Sequence, residues 1–173
     1  MNRRHFLIAS LAPLLCQVAY ADPIHAIADG AYWHHDSGWI FPEKIGVFVR
    51  VGIPQDVAGS RDAVAYYART LNGVRIVASV DVYASDSDIE REKQATGRLE
   101  SDEAFPVGKA GALSGRRSIY VAGDDATTAS TGVYVIAAGE WQVRIRIAQA
   151  PKDSGPMMDS FVRDQRWDTL TDR

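Results

Sequence analysis

Thiol chemistry is almost missing from this chain: a single cysteine, Cys16, stands among 173 residues. It falls within an N-terminal stretch that reads as a signal peptide. Once residues 1–21 are removed, no disulfide, thiol nucleophile or thiolate metal ligand is expected. Long apolar runs are missing as well. The stretch Phe6 to Leu15 is interrupted by Pro13 and falls short of the roughly 20 residues that a helix needs to cross a bilayer, so no stable membrane span is expected. Basic charge is scarce too. The chain carries a formal charge of -3, and loss of Arg3 and Arg4 with the signal peptide makes the remainder two units more acidic. Such a domain is a poor partner for nucleic acid or an anionic membrane. Finally, no G-x-S-x-G elbow, S-x-x-K, H-E-x-x-H, phosphate-binding loop or dinucleotide fingerprint occurs, so no cofactor is implied.

The N-terminus does carry a pattern. Arg3 and Arg4 give a positive start, the apolar stretch follows, and Ala19-Tyr20-Ala21 supplies small residues before a cleavage point near Ala21. The expected destination is the periplasm or the medium. Arg3-Arg4 followed by His5, Phe6 and Leu7 resembles a twin-arginine signal, and Sec export with two unselected arginines fits equally well. Leu14-Leu15 ahead of Cys16 departs from a lipoprotein anchor, which wants small residues there.

Residues 22–36 read as an irregular, polar lead-in, and 37–173 as one domain without repeats or a dividing linker. Two segments carry most of the pattern. Ala63 to Leu71 and Val74 to Tyr83 flank Asn72-Gly73, the strongest short hairpin signal, because both turn residues need positive φ. A two-residue loop sets Leu71 opposite Val74, Arg69 opposite Ile76, Tyr67 opposite Ala78 and Ala65 opposite Val80. In the second segment Trp141, Val143, Ile145 and Ile147 alternate with Gln142, Arg144 and Arg146, and Gly139 marks a turn from Thr131–Ala138. That alternation predicts a half-buried antiparallel hairpin.

Weaker strands are expected at Trp39–Phe41, Val47–Val51 and Arg117–Val121. Ser87-Asp88-Ile89-Glu90 fits a capping box and predicts a helix to about Leu99, interrupted by Gly97. Pro156 suits a first helical position, with Met157, Met158, Phe161 and Val162 as an apolar stripe. The sum is an α+β fold, an antiparallel sheet of five to seven strands with helices packed on it.

The order of Ser37-Gly38-Trp39-Ile40-Phe41-Pro42, then Phe48-Val49-Arg50, a central hairpin and helix, Gly139-Glu140-Trp141 leading into Arg144 and Arg146, and a last helix near Trp167 resembles small exported bacterial proteins of unknown function. More distantly it is similar to the PsbP/Mog1-like α/β/α sandwich. The resemblance implies that sandwich fold. Its motifs are aromatic and structural, so the photosystem or GTPase binding of those families does not carry over.

Candidate chemistry is sparse. His34 and His35, with Asp36 beside them and His25 upstream, have the donor atoms for zinc, copper or nickel, although neighbouring residues of an extended chain point to opposite sides. Asp86, Asp88 and Glu90 suit a helix start better than a calcium loop, since Arg91 stands where such a loop needs glycine. Asp124-Asp125 and the hydroxyls after them lack a nearby base. Arg144 and Arg146 share one face of their strand, and Arg75, Ser79 and Asp81 share one face of theirs. If both faces lie on one side of one sheet, the guanidinium groups of Arg75, Arg144 and Arg146 could grip a carboxylate or phosphate. The expected function is an exported, non-catalytic binding or accessory domain, its partner a protein or a small anionic ligand. The alternatives are a hydrolase whose site assembles only in three dimensions and a periplasmic metal-binding protein using the N-terminal histidines.

Overall fold

The computed structural model describes residues 23–56, 61–85, 98–122 and 129–171. The expected signal peptide, the capping box at 87–90 and the loop at 124–128 lie outside them. In chain order the described strands are β1 (Ile24–Ala26), β2 (Tyr32–His34), β3 (Ile40–Phe41), β4 (Lys44–Ile45), β5 (Phe48–Arg50), β6 (Gln55–Asp56), β7 (Ala63–Leu71), β8 (Val74–Ala84), β9 (Arg98–Ala104), β10 (Gly115–Val121), β11 (Ala129–Ala138) and β12 (Trp141–Pro151). Helix α1 (Gly155–Arg163) and the short α2 (Asp168–Thr171) follow.

Both long hairpins form where alternation places them. Leu71 pairs with Val74 and each further pair down to Ala65 and Val80 follows in step. Asn72 and Gly73 take φ of 51° and 79°, the positive values that a two-residue loop between twisted strands requires. In the second hairpin Ala138 pairs with Trp141, so the loop is Gly139-Glu140. Tyr134, Ile136, Val143, Ile145 and Ile147 are fully buried on one face.

The main sheet is larger than expected. Nine strands pair antiparallel in the order β4-β5-β7-β8-β12-β11-β10-β9, with β6 also on β7, and β1-β2-β3 make a second, three-stranded sheet. The residues read as an irregular lead-in thus contain two paired strands. Arg98 and Leu99, expected to close a helix, instead open β9. Helix is correspondingly modest among the described residues, and α1 packs on one face of the main sheet only.

That inner face holds the core. Phe161 of α1 stacks against Phe48 at 4.6 Å and Tyr67 at 5.6 Å, while Met158 and Val162 are buried beside it. The three-stranded sheet closes the rest: Trp39 meets Trp167 at 5.2 Å, and His34 meets Trp141 edge-on at 5.6 Å. Two arginines fasten these layers. Arg50 donates to the carbonyls of Phe41 (2.7 Å), Gly30 (2.6 Å) and Gly52 (3.1 Å) and lies over the Tyr32 ring at 4.6 Å. Arg117 grips both oxygens of Asp159 at 2.8 and 2.7 Å and also pairs with Glu103. Tyr134 donates to the same Asp159 carboxylate at 2.7 Å, so α1 is tied to β9, β10 and β11 at one point. β-Strand propensity hardly enters at Gly115, where a Cβ would stand 2.2 Å from the Phe105 carbonyl oxygen; only glycine allows that approach.

Candidate functional site

The outer face of the main sheet is where side chains of unlike chemistry meet. β8 and β12 are neighbours, with Asp81 opposite Arg144, Ser79 opposite Arg146 and Tyr83 opposite Gln142. Period two then turns all six side chains to the side away from α1. Asp81 Oδ2 lies 3.3 Å from Arg144 Nη2, and Ser79 Oγ donates to the same oxygen at 3.1 Å. Tyr83 donates to Gln142 Oε1 at 3.4 Å, and the Arg144 guanidinium lies 5.8 Å from the Tyr83 ring centre. Arg144 and Asp81 keep only 18% and 20% of their side-chain surface, so the pair is mostly desolvated. Burial pushes the Asp81 carboxyl above its usual range, against the opposing pull of Arg144 and Ser79. Burial likewise raises the Tyr83 phenol. Arg146 is exposed beside them.

Of the three arginines expected to cooperate, the fold brings two together. Arg144 and Arg146 share the centre of the face. Arg75 pairs with Thr70 near the hairpin end, four residues from Ser79 and therefore about 13 Å along the strand. It borders a separate shallow groove with Val47, Val49, Val51 and Ala68. Several of those valines are exposed, Val47 by 62% and Val49 by 43%. The outer face thus has an apolar end and a charged middle.

The histidines separate as extended chain dictates. His34 is wholly buried on the inner side. Its Nδ1 lies 2.7 Å from Ser37 Oγ, and that oxygen also accepts the Trp39 backbone N–H at 3.1 Å. Burial pushes the imidazole below its ordinary value, and Nε2 has no partner. The serine and histidine are within bonding distance, but with 1% and 0% exposure they lock a turn rather than offer a nucleophile and base. His34 and His35 therefore do not form a joint metal site, because the strand sends one ring into the core and the other to solvent.

His35 has a different neighbour. β1 pairs with β2 so that His25 stands opposite Trp33, and the backbone N–H of His35 bonds to Pro23 O at 2.8 Å. His25, Trp33 and His35 consequently share the outward side of the small sheet. Their ring centres lie 6.1 Å (His25–Trp33), 5.2 Å (Trp33–His35) and 6.5 Å (His25–His35) apart. Asp36 Oδ1 is 3.3 Å from His35 Nδ1 and its other oxygen 3.3 Å from Arg61 Nε. The His35 contact, then Arg61, holds the Asp36 carboxyl below its usual range. Among the described residues no three His, Cys, Asp or Glu side chains gather as a metal cage.

Two features escaped sequence reasoning. The pairing of β8 with β12 spans some 60 residues, and the join of His25 to His35 depends on the turn at Asp29 and Gly30, whose φ values are 58° and 66°. Only Gly30, a residue at ease with positive φ, hinted at that turn. Among the described residues no helix is long and apolar enough to cross a membrane. Comparison with known proteins adds no identity: no protein-family model, no curated protein and no solved structure matches the chain.

Proposed function

We propose that this is an exported, non-catalytic binding or accessory module that holds an anionic group on the outer face of its main sheet, the group belonging to a partner protein or a small ligand. One observation carries the reading: β8 and β12 bring Ser79, Asp81, Arg144 and Arg146 side by side on the face that α1 leaves uncovered. Asp81 holds Arg144 in place, so that guanidinium is oriented before any ligand arrives, and the exposed Arg146 beside it is the group that a carboxylate or phosphate would meet first. A preset planar donor set loses less entropy on binding than a free arginine does.

The non-catalytic part rests on what the face offers. Among the described residues no imidazole lies there, and the Asp81 oxygen that accepts the Ser79 hydroxyl is also engaged by Arg144. A hydrolase would need a base left free to take its nucleophile's proton. Export rests on residues 1–21, with their basic start, short apolar stretch and Ala19-Tyr20-Ala21 end. The likeness to the PsbP/Mog1-like fold enters the same proposal only as a helix on one face of an antiparallel sheet, α1 covering the inner face and leaving the outer one open.

Titration with phosphate and with citrate, followed by calorimetry, tests the reading. The R144Q/R146Q double variant should bind the better of the two anions at least tenfold more weakly than the unchanged chain, and R75Q should bind it equally well. Equal affinity in the double variant sinks the proposal.

A further inference from the structure

We propose that His25 and His35 form a surface site for a late transition-metal ion, copper(II) foremost, on the outward side of the three-stranded sheet. The proposal is independent of the anion-binding face. It begins with register. His25 on β1 stands opposite Trp33 on β2, and His35 continues the same side one pleat further, so two imidazoles flank one indole on a diagonal across adjacent strands. Their ring centres are 6.5 Å apart.

Coordination geometry sets what that distance means. A metal bound to an imidazole nitrogen lies about 2.0–2.1 Å from it, hence about 3.2 Å from the ring centre, and two rings sharing one ion stand about 4.5 Å apart at a right angle and about 5–6 Å apart at wider angles. The observed spacing closes by a small swing of side chains. His35 is free to make it, with 63% of its side chain exposed, and His25 is half-buried at the strand edge.

Asp36 prepares one of the two ligands. Its carboxylate lies 3.3 Å from His35 Nδ1 and is itself steadied by Arg61 at 3.3 Å. A carboxylate at Nδ1 favours the tautomer with the proton there, which leaves Nε2 as a lone-pair donor facing solvent. That is the outer-sphere support a metal-bound histidine normally has. Two imidazoles with water completing the sphere match copper(II) best, because affinity for nitrogen ligands peaks at copper in the divalent series. His34 takes no part, since its ring is buried on the other side.

Trp33 supplies the readout. Its ring lies within 5.2 Å of His35 and 6.1 Å of His25, whereas Trp39, Trp141 and Trp167 are at most 5% exposed. Copper(II) chloride titrated into the full chain, free of any affinity tag, should quench part of the tryptophan emission with one ion bound per chain by calorimetry. H25A and H35A should each weaken binding at least tenfold, and D36N a few-fold. W33F should lose most of the quenching yet keep the calorimetric stoichiometry. H34Q, checked for folding by circular dichroism, should bind as the unchanged chain does. Copper affinity that survives in the H25A/H35A double variant overturns the proposal, and so does equal loss in folded H34Q.

Discussion

The two faces of the main sheet have opposite ways of handling polar groups. On the inner face the charged groups act as fasteners: Arg117 is held by Asp159 and Glu103, and Arg50 by three backbone carbonyls. The bonds of Arg117 to Asp159 and of Arg50 to Phe41 and Gly30 tie one layer to another, and aromatic rings fill the space between. On the outer face Arg144, Asp81 and Ser79 are bonded to one another across two adjacent strands of the same sheet. The same residue types therefore meet α1 and the small sheet on one side, while on the other Arg146 stays exposed to solvent. Burial against α1 and the small sheet makes the difference.

Substitutions should reveal that asymmetry, beginning with the core. Phe161 is 2% exposed and contacts Phe48 and Tyr67. Phe161→Ala should cost about 3–5 kcal/mol, the range for emptying a packed aromatic site, read as a lower urea midpoint. Asp159→Asn comes next. It leaves Arg117, with only 20% of its side chain exposed, facing a neutral amide, and removes the strong acceptor of the Tyr134 hydroxyl. A loss of about 2 kcal/mol is expected, whereas Tyr134→Phe should cost about 1 kcal/mol. If Asp159→Asn is neutral in denaturation, the inner clamp is decorative and the contrast between the faces fails.

His34 extends the contrast to pH. Burial lowers its proton affinity below that of the unfolded chain, opposed by Asp36 and Asp62 and aided by Arg61 and His35. The unfolded imidazole takes up its proton near pH 6.5, and the folded one does so only at lower pH. The stability is therefore present above about pH 6.5 and is lost as pH falls below it. Urea midpoints measured from pH 7.5 to 5 should decline in the unchanged chain and decline less in His34→Gln. Asp81, on the outer face, has the opposite sign. Its carboxyl is raised by burial, so the folded state holds that proton more readily than the unfolded chain. Its ionisation costs stability at neutral pH, and the cost is relieved as pH falls toward the unfolded value of about 3.9.

Much of this was legible from residue order, for identifiable reasons. The hairpins at Ala63–Ala84 and Ala129–Pro151 announce themselves because each strand is long, buried on one side and closed by a two-residue turn. Burial on one face writes period two into the sequence. β9 writes nothing of the kind. Its Arg-Leu-Glu-Ser-Asp-Glu-Ala segment is exposed along almost its whole length, so both sides can be polar, as befits a charged edge strand. The three-residue strands β1 and β2 are too short to show a period at all. For the sites, period two was enough to separate His34 from His35, and to put Arg144 with Arg146. It could not say that β8 would lie beside β12, which brought Asp81 to Arg144, or that the hairpin end would carry Arg75 away.

The smallest structural effect should coincide with the largest effect on recognition. Arg146 is exposed on the outer face, so Arg146→Gln should change stability by no more than about 0.5 kcal/mol, within the error of a denaturation curve. Anion affinity should nevertheless fall several-fold, because an exposed guanidinium beside an oriented one is the part of the pair that a ligand meets. Arg117→Gln is the matching inner-face change, and it should do the reverse: lower the urea midpoint clearly and leave anion affinity alone once the protein is folded. Calorimetry and denaturation on these two variants give a two-by-two comparison. Should Arg146→Gln unfold the domain, or Arg117→Gln weaken anion binding, the division of labour between the faces is wrong. If each variant moves only its own readout, the outer face is free of the fold it stands on, and its arginines are there for something that binds.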